Sequence, residues 1–200
     1  MGLSENAGGA AAALFGATAL LCGSFGIISC RTLQLHQQQT DAYISFGAWS
    51  YKTQNYALVG NDIWVIDTCR SYKYLDKDLG VPYDLDATSK AVRAFSIIAT
   101  VLGGLAVLGS CNGRAMKPLG GLFLLAGISQ GLTLMIQNSS ICSDNPVIQY
   151  LDSQASAIAS TFEDNCEWGS GFRAAIAAVV FWFIAGFAAM GSPERGAGDQ

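Results

Sequence analysis

Charged residues are spread unevenly along the chain. Four stretches, 6–30, 94–113, 118–143 and 174–193, contain no Asp, Glu, Lys or Arg. A hydrocarbon layer about 30 Å thick takes about 20 apolar residues of α-helix to cross. Each stretch reaches that length. The pattern predicts a membrane α-protein: one domain over 1–200 with four spans at about 7–29, 94–110, 119–137 and 174–190. Two longer loops, 30–93 and 138–173, fall on one side of the bundle. Both termini and the short connector CNGRAMKP fall on the other.

Every span has Gly or Ala near its centre. Helices in lipid associate by close packing, because lipid tails are as apolar as Leu, and small residues permit the approach. Gly103, Gly104, Gly120, Gly121, Gly127, Gly131 and Gly186 are therefore expected to pack a compact four-helix bundle. Ser129 and Gln130 are the notable polar pair of span three and are expected to bond between helices. No span carries an ionisable residue at its centre, which argues against a pump or a proton-coupled carrier. The single His36 lies outside the spans, so no helix offers a histidine to a haem or a pigment. No cofactor is expected.

Loop one lacks the Pro/Ser/Gly composition of a linker and contains aromatic and β-branched runs. Residues 42–52, 56–59 and 63–68 read as short strands, with Gly60-Asn61-Asp62 as a turn. They predict a small antiparallel sheet outside the membrane. Asp86 or Thr88 is expected to cap span two. In loop two, residues 147–161 are expected to extend as a helix. Asn138-Ser139-Ser140 is a glycosylation sequon too close to span three to be readily used.

Charge sets the orientation. The connector has Arg114 and Lys117 and no acid, which places it and the termini on the cytosolic side. Loop one is balanced in charge, while loop two has five acids and only Arg173. With 11 basic residues against 15 acidic ones and no basic run, nucleic acid is not an expected partner. The start MGLSEN has no basic residue and the first span is too long for a secretory leader. The myristoylation pattern fails at Asn6.

Of six cysteines, Cys30, Cys69, Cys142 and Cys166 fall in the outer loops. An even number there suits an oxidising compartment. Three pairings are open. A bridge Cys142–Cys166 within loop two would leave Cys30–Cys69 for loop one. Cys22 lies in span one, and Cys111 ends span two, where palmitoylation is a weak possibility. No Cys/His cluster suggests zinc. Asp76, Asp78, Asp84 and Asp86 lack the spacing of a calcium loop. No nucleophile elbow, His pair or phosphate loop supports catalysis, so the chain is not expected to be an enzyme.

Several short motifs carry a resemblance. Gly47-Ala48-Trp49 precedes Cys69-Arg-Ser-Tyr72, then Leu85-Asp86-Ala87, then Ala91-Val-Arg93-Ala94-Phe95. Gly120 to Gly127 and Glu167-Trp-Gly169-Ser-Gly171-Phe172 follow at the third and fourth spans. This resembles the claudins and the wider peripheral-myelin and epithelial-membrane-protein superfamily, whose first loop carries Gly-Leu-Trp, two cysteines and an Arg at the second helix. The family's first loop cysteine is replaced here by the Ser50-Tyr51-Lys52 segment, so Cys30 is expected to pair with Cys69, and Cys142 with Cys166. The C-terminal Gly198-Asp199-Gln200 lacks the apolar ending that many claudins offer to PDZ domains.

The resemblance implies a non-enzymatic tetraspan acting in adhesion, barrier formation or membrane-protein interaction. The expected partners are lipids and other integral membrane proteins, or further copies of itself. The alternative is an accessory subunit of a channel, respiratory or photosynthetic complex. The plasma membrane is the expected location, an organelle membrane the alternative. Gly47, Trp49, Cys69 and Arg93 would be structural, with Trp49 in the sheet's core or dipping to the membrane interface. Trp64, Tyr72 and Tyr74 would be exposed contacts, because interface energy concentrates in aromatic anchors.

Overall fold

The computed structural model describes residues 7–38, 43–59, 62–74, 86–111, 116–143 and 165–192, with isolated positions between 145 and 162. Four helical stretches are long and apolar enough to cross a membrane: Gly8–Ile28, Ala87–Cys111, Met116–Ser143 and Ser170–Met190. The first is helix α1 (Ala7–Ile28), the second α2 (Ala87–Cys111). The third begins as α3 (Met116–Leu132), tightens into a 3-10 stretch over Thr133–Asn138 and ends as the short α4 (Ser140–Ser143). The fourth is α5 (Ser170–Met190).

α2 begins seven residues earlier than the charge pattern suggests. The reason is Asp86, whose Oδ1 accepts a hydrogen bond from the Ser89 backbone N–H at 3.0 Å. That bond satisfies one of the unpaired donors at a helix start. With the cap in place, Lys90 and Arg93 continue the helix. Thr88, the other cap candidate, lies inside α2.

The chain divides into two compact units. The first holds residues up to Phe25, Ala94–Leu134 and the chain from Ala174 onward. Its core is Ala12, Ala19, Ala106, Phe123, Ala126, Trp182, Ala185 and Ala189. Small residues on facing helices leave a slot, and Trp182 of α5 fills it with 1 % of its surface exposed. A Cβ at Gly103 would collide with the far edge of the Trp182 ring, and one at Gly127 would sit 3.1 Å from Trp182 Cβ. Phe123 stacks on Trp182 with ring centres 5.9 Å apart. Gly120 and Gly186 likewise face each other's backbones. Gly104, Gly121 and Gly131 depart from the expectation: a Cβ at any of them would meet nothing within 4 Å. Gln130 is also a correction. Its amide donates to Thr133 Oγ1 at 3.2 Å on its own helical stretch, not to another helix.

The second unit, Gly26–Arg93 with Met135–Arg173, contains an antiparallel five-stranded sheet. Its strands are β1 (Leu33–His36), β2 (Tyr43–Phe46), β3 (Ser50–Val59), β4 (Asp62–Ser71) and β5 (Glu167–Trp168), in the order β4-β3-β2-β1-β5. The expected run 42–52 breaks at Gly47–Trp49 into β2 and β3. Gly47 lies so close to the backbone of Ser29 and Cys30 that a side chain has no room. The run expected to start at Tyr56 begins at Ser50 and pairs with β4 over ten positions. β1 and β5 were not legible as strands. They pair through Leu33↔Trp168 and Gln34↔Glu167, which ties loop two to loop one. The helix expected over 147–161 lies largely outside the described residues.

Candidate functional site

Within the second unit, the expected site residues separate into a buried frame and an exposed rim. The frame starts with two cysteine pairs at bonding distance. Cys30 joins Cys69 with Cα atoms 5.6 Å apart, and Cys142 joins Cys166 at 5.5 Å. The first pair fastens the turn that follows α1 to β4. The second fastens α4 to the residue before β5. Cys22 and Cys111 are free.

Around Gly47 the chain makes a turn held by side chains from distant positions. Tyr72, in the 3-10 turn Tyr72–Tyr74, donates its hydroxyl to the Gly47 carbonyl at 2.9 Å. Arg93 on α2 donates Nε–H to the Ala48 carbonyl at 2.8 Å. Its guanidinium lies 4.8 Å from the centre of the Trp49 ring and 5.8 Å from that of Tyr72. A weakly hydrated planar cation stacks on aromatic faces in a way that lysine does not reproduce. Gly47, Trp49, Cys69 and Arg93 thus converge, Cys69 from the neighbouring end of β4.

Two expectations need correction here. Tyr72 is not an exposed contact: only 6 % of its surface is accessible, and its hydroxyl is spent on the Gly47 turn. Trp49 is not in the sheet's core: 37 % of it is exposed, with Arg93 against the ring. An aromatic beside a turn glycine looks the same in sequence whether it points inward or outward. Tyr74 stays on the rim, 39 % exposed, with Arg70 and Lys73 over its ring at 5.3 and 4.8 Å. Trp64 pairs with Ala57 in the β3–β4 ladder, and its side chain lies outside the described residues.

Sequence reasoning missed a charged cluster on loop one. Asp67 of β4 bonds Lys52 of β3 at 2.8 Å and Arg31 at 3.2 Å. The Lys52 hydrogen bond holds the Asp67 carboxyl below its ordinary range, with help from both positive charges. The signal was present in the hairpin register. Lys52 pairs with Cys69 and Asp67 with Gln54, so the two charges are diagonal neighbours on one face. Asp86 is a second tie. Burial pushes its carboxyl up, but hydrogen bonds from Ser89 and Ser140 outweigh this and lower it overall. Its Oδ2 accepts the Ser140 backbone N–H at 3.2 Å. One carboxylate therefore serves the N-termini of both α2 and α4. Asp76, Asp78 and Asp84 lie outside the described residues. His36 Nε2 stands 3.4 Å from Glu167 Oε2 across β1 and β5. Among the described residues, no three His, Cys, Asp or Glu side chains gather as metal ligands.

The arrangement can hold a surface rigid. It presents exposed aromatic rings with cations against them. No protein-family model matches this chain, and no curated protein matches it either.

Proposed function

We propose that this chain is a claudin-like, non-enzymatic integral membrane protein whose outer sheet acts in membrane-protein interaction or adhesion. The observation that carries the reading is the Arg93 junction. A cation seven residues into α2, at the border of the apolar run from Ala94, grips the Gly47-Ala48-Trp49 turn of loop one. The same triplet and the same arginine carry the sequence resemblance. Pinning that turn through Arg93, within the sheet unit, suits a protein that presents an ordered outer surface. Tyr74 and Trp64 are the proposed contacts on that surface, and the plasma membrane is the proposed location.

Tests follow from the rim. Tyr74→Ala and Trp64→Ala should weaken capture of partner membrane proteins by the full-length chain in mild detergent, while insertion and melting temperature hold. Capture equal to wild type by both variants would remove the loop-one interface from consideration. A second reading, an accessory subunit of a larger membrane complex, draws on Gly104, Gly121 and Gly131, whose helix faces leave space for a neighbouring helix. Co-purification in one fixed-stoichiometry complex would favour it.

A further inference from the structure

α2 and α5 share a feature at their borders. Each has an arginine as the last charged residue before its apolar run: Arg93 before Ala94 and Arg173 before Ala174. Arg93 is engaged with the Gly47 turn and the Trp49 ring. Arg173 is exposed, and it is the only base of loop two. Along α5 it is followed, at spacings of seven, four and three, by Val180, Ile184 and Phe187, all exposed. Those spacings keep to one face of an α-helix. Arg173 therefore heads the exposed apolar stripe of a helix long enough to cross a membrane.

Trp168 stands two residues before α5. β5 pairs with β1 through Leu33↔Trp168 and Gln34↔Glu167, and successive strand residues point to opposite faces. Trp168 thus shares the face of Leu33, Leu35 and Phe46, all buried. Glu167 lies on the other face with His36. At the β5 edge the apolar face ends in an indole that is 49 % exposed and leans on Phe172 of α5, ring centres 5.1 Å apart.

From Ser170 to Arg173 the helix rises about 4.5 Å. The headgroup layer on each side of the hydrocarbon is about 5–8 Å deep. A ring at the mouth of α5 and a guanidinium one turn inside it fit within that one layer. Water is a poor occupant for a half-exposed indole on an apolar face, and hydrocarbon is a poor one for a guanidinium. The headgroup layer suits both. Its ester carbonyls and phosphates accept hydrogen bonds from the indole N–H and the guanidinium fork, while the ring and the arginine stem bury carbon.

We propose that Trp168 and Arg173 together form a phospholipid headgroup site on the leaflet at the entrance of α5, with the indole N–H directed to an ester carbonyl and the guanidinium to the phosphodiester. The site goes beyond the interaction reading above and requires only that α5 cross a bilayer.

The test uses the full chain reconstituted in phosphatidylcholine vesicles. The fluorescence of Trp168 is the difference between wild type and Trp168→Phe, with Trp168→Tyr as a second subtraction should the first variant fold poorly. Lipid brominated at the top of its acyl chains should quench that difference severalfold more than lipid brominated at the chain ends, and more than iodide in the water. Strongest quenching by iodide or by the chain ends would put the ring in water or in hydrocarbon, and either overturns the site. Protection from iodide and bromolipid alike would mean that another protein or a second copy covers the ring, which overturns it equally. For Arg173 the probe is phosphatidylglycerol brominated at the top of its chains, mixed into plain phosphatidylcholine, each variant being read against its own Trp168→Phe counterpart. One base near an anionic surface shifts a population about fivefold, so Arg173→Gln should need about fivefold more brominated lipid for half of the Trp168 quenching. Arg173→Lys should recover much of that loss. An unchanged requirement in Arg173→Gln would overturn the joining of the two residues in one site.

Discussion

The helical unit and the sheet unit meet the same requirement, holding elements together, by opposite means. In the helical unit the contacts are small against large: Gly103 and Gly127 accept Trp182, Gly16 accepts Phe123, and Gly109 accepts Leu119. The ion pairs Arg31–Asp67, Lys52–Asp67 and His36–Glu167 and both disulfides lie in the sheet unit. In the sheet unit, apolar burial centres on Leu33, Leu35 and Phe46. The remaining work falls to two disulfides, a carboxylate that caps two helices, an arginine gripping a turn, and the Arg31–Asp67–Lys52 cluster. The difference follows from what drives association in each setting. Between helices as apolar as their surroundings, shape decides. For a small sheet with a limited core, covalent and polar ties replace missing buried area. Shape and ties should then fail in different ways when altered.

The largest effect is expected from the ties. Changing Cys30 and Cys69 to Ser together opens a loop of 39 residues, and loss of such a bridge typically costs roughly 2–5 kcal/mol. The sheet unit should lose protection in hydrogen exchange, while helical circular dichroism of the four long helices persists. Replacing the free Cys22 by Ala should change neither. Simultaneous collapse of helical signal in the double Ser variant would show that the two units are not separable.

Shape is tested by two adjacent glycines. Gly103→Ala drives a methyl group into the Trp182 ring and should destabilise by about 1–3 kcal/mol, the usual range for overpacking. Gly104→Ala meets open space and should be neutral, or stabilising by up to about 1 kcal/mol through helix propensity. Melting of the two variants in one detergent reads the contrast. Adding Trp182→Phe to Gly103→Ala should recover part of the loss. Equal melting temperatures for Gly103→Ala and Gly104→Ala would mean that the slot for Trp182 does not hold the bundle.

The same contrast explains what the sequence disclosed. The four helices were legible because absence of charge over 20 residues is a local signal. Which glycine faces a neighbour is not local: Gly103 and Gly104 are identical in sequence terms and differ only through Trp182, some eighty positions on. The cysteine pairs were among few alternatives, so the resemblance sufficed to choose one. Tyr72 was misassigned because its role depends on the Gly47 carbonyl, brought near only when β3 and β4 are formed. β1 and β5 were missed because LQLH and EW are too short to show a period. Each becomes a strand only beside the other.

Arg93 offers an intermediate effect. Arg93→Lys keeps the charge but loses the Nε–H bond to Ala48 and the flat stack on Trp49. Hydrogen bonds to charged groups are worth about 1.5–3 kcal/mol and exposed cation–π contacts about 0.5–1. A loss of about 1–2 kcal/mol is expected, together with a red shift of Trp49 fluorescence as the half-exposed ring gains water. Arg93→Ala should cost more than Arg93→Lys. Equal costs would mean that the charge alone, and not the stacked geometry, holds the turn.

The smallest effect should come from acid. The folded Asp67 carboxyl is held below its ordinary range, chiefly by the Lys52 hydrogen bond. A carboxylate depressed in the folded state stabilises at any pH above its unfolded value, near 3.9. That contribution fades as pH falls toward the folded value, because the folded chain then has to take up a proton it binds poorly. Between about pH 5 and pH 2 the sheet unit should therefore lose stability. The Asp67→Asn variant should show a shallower fall over that window and little change at pH 7, since solvent screens an exposed pair. Asp86 titrates with the same sign, held down by hydrogen bonds from Ser89 and Ser140 against its burial, so the slope left in Asp67→Asn should shrink further when Asp86→Asn is added. The helical unit, whose described residues include no Asp or Glu, should give a flatter profile. Acid sensitivity of equal size in helical circular dichroism and in sheet protection would show that the polar ties of one unit also hold the other.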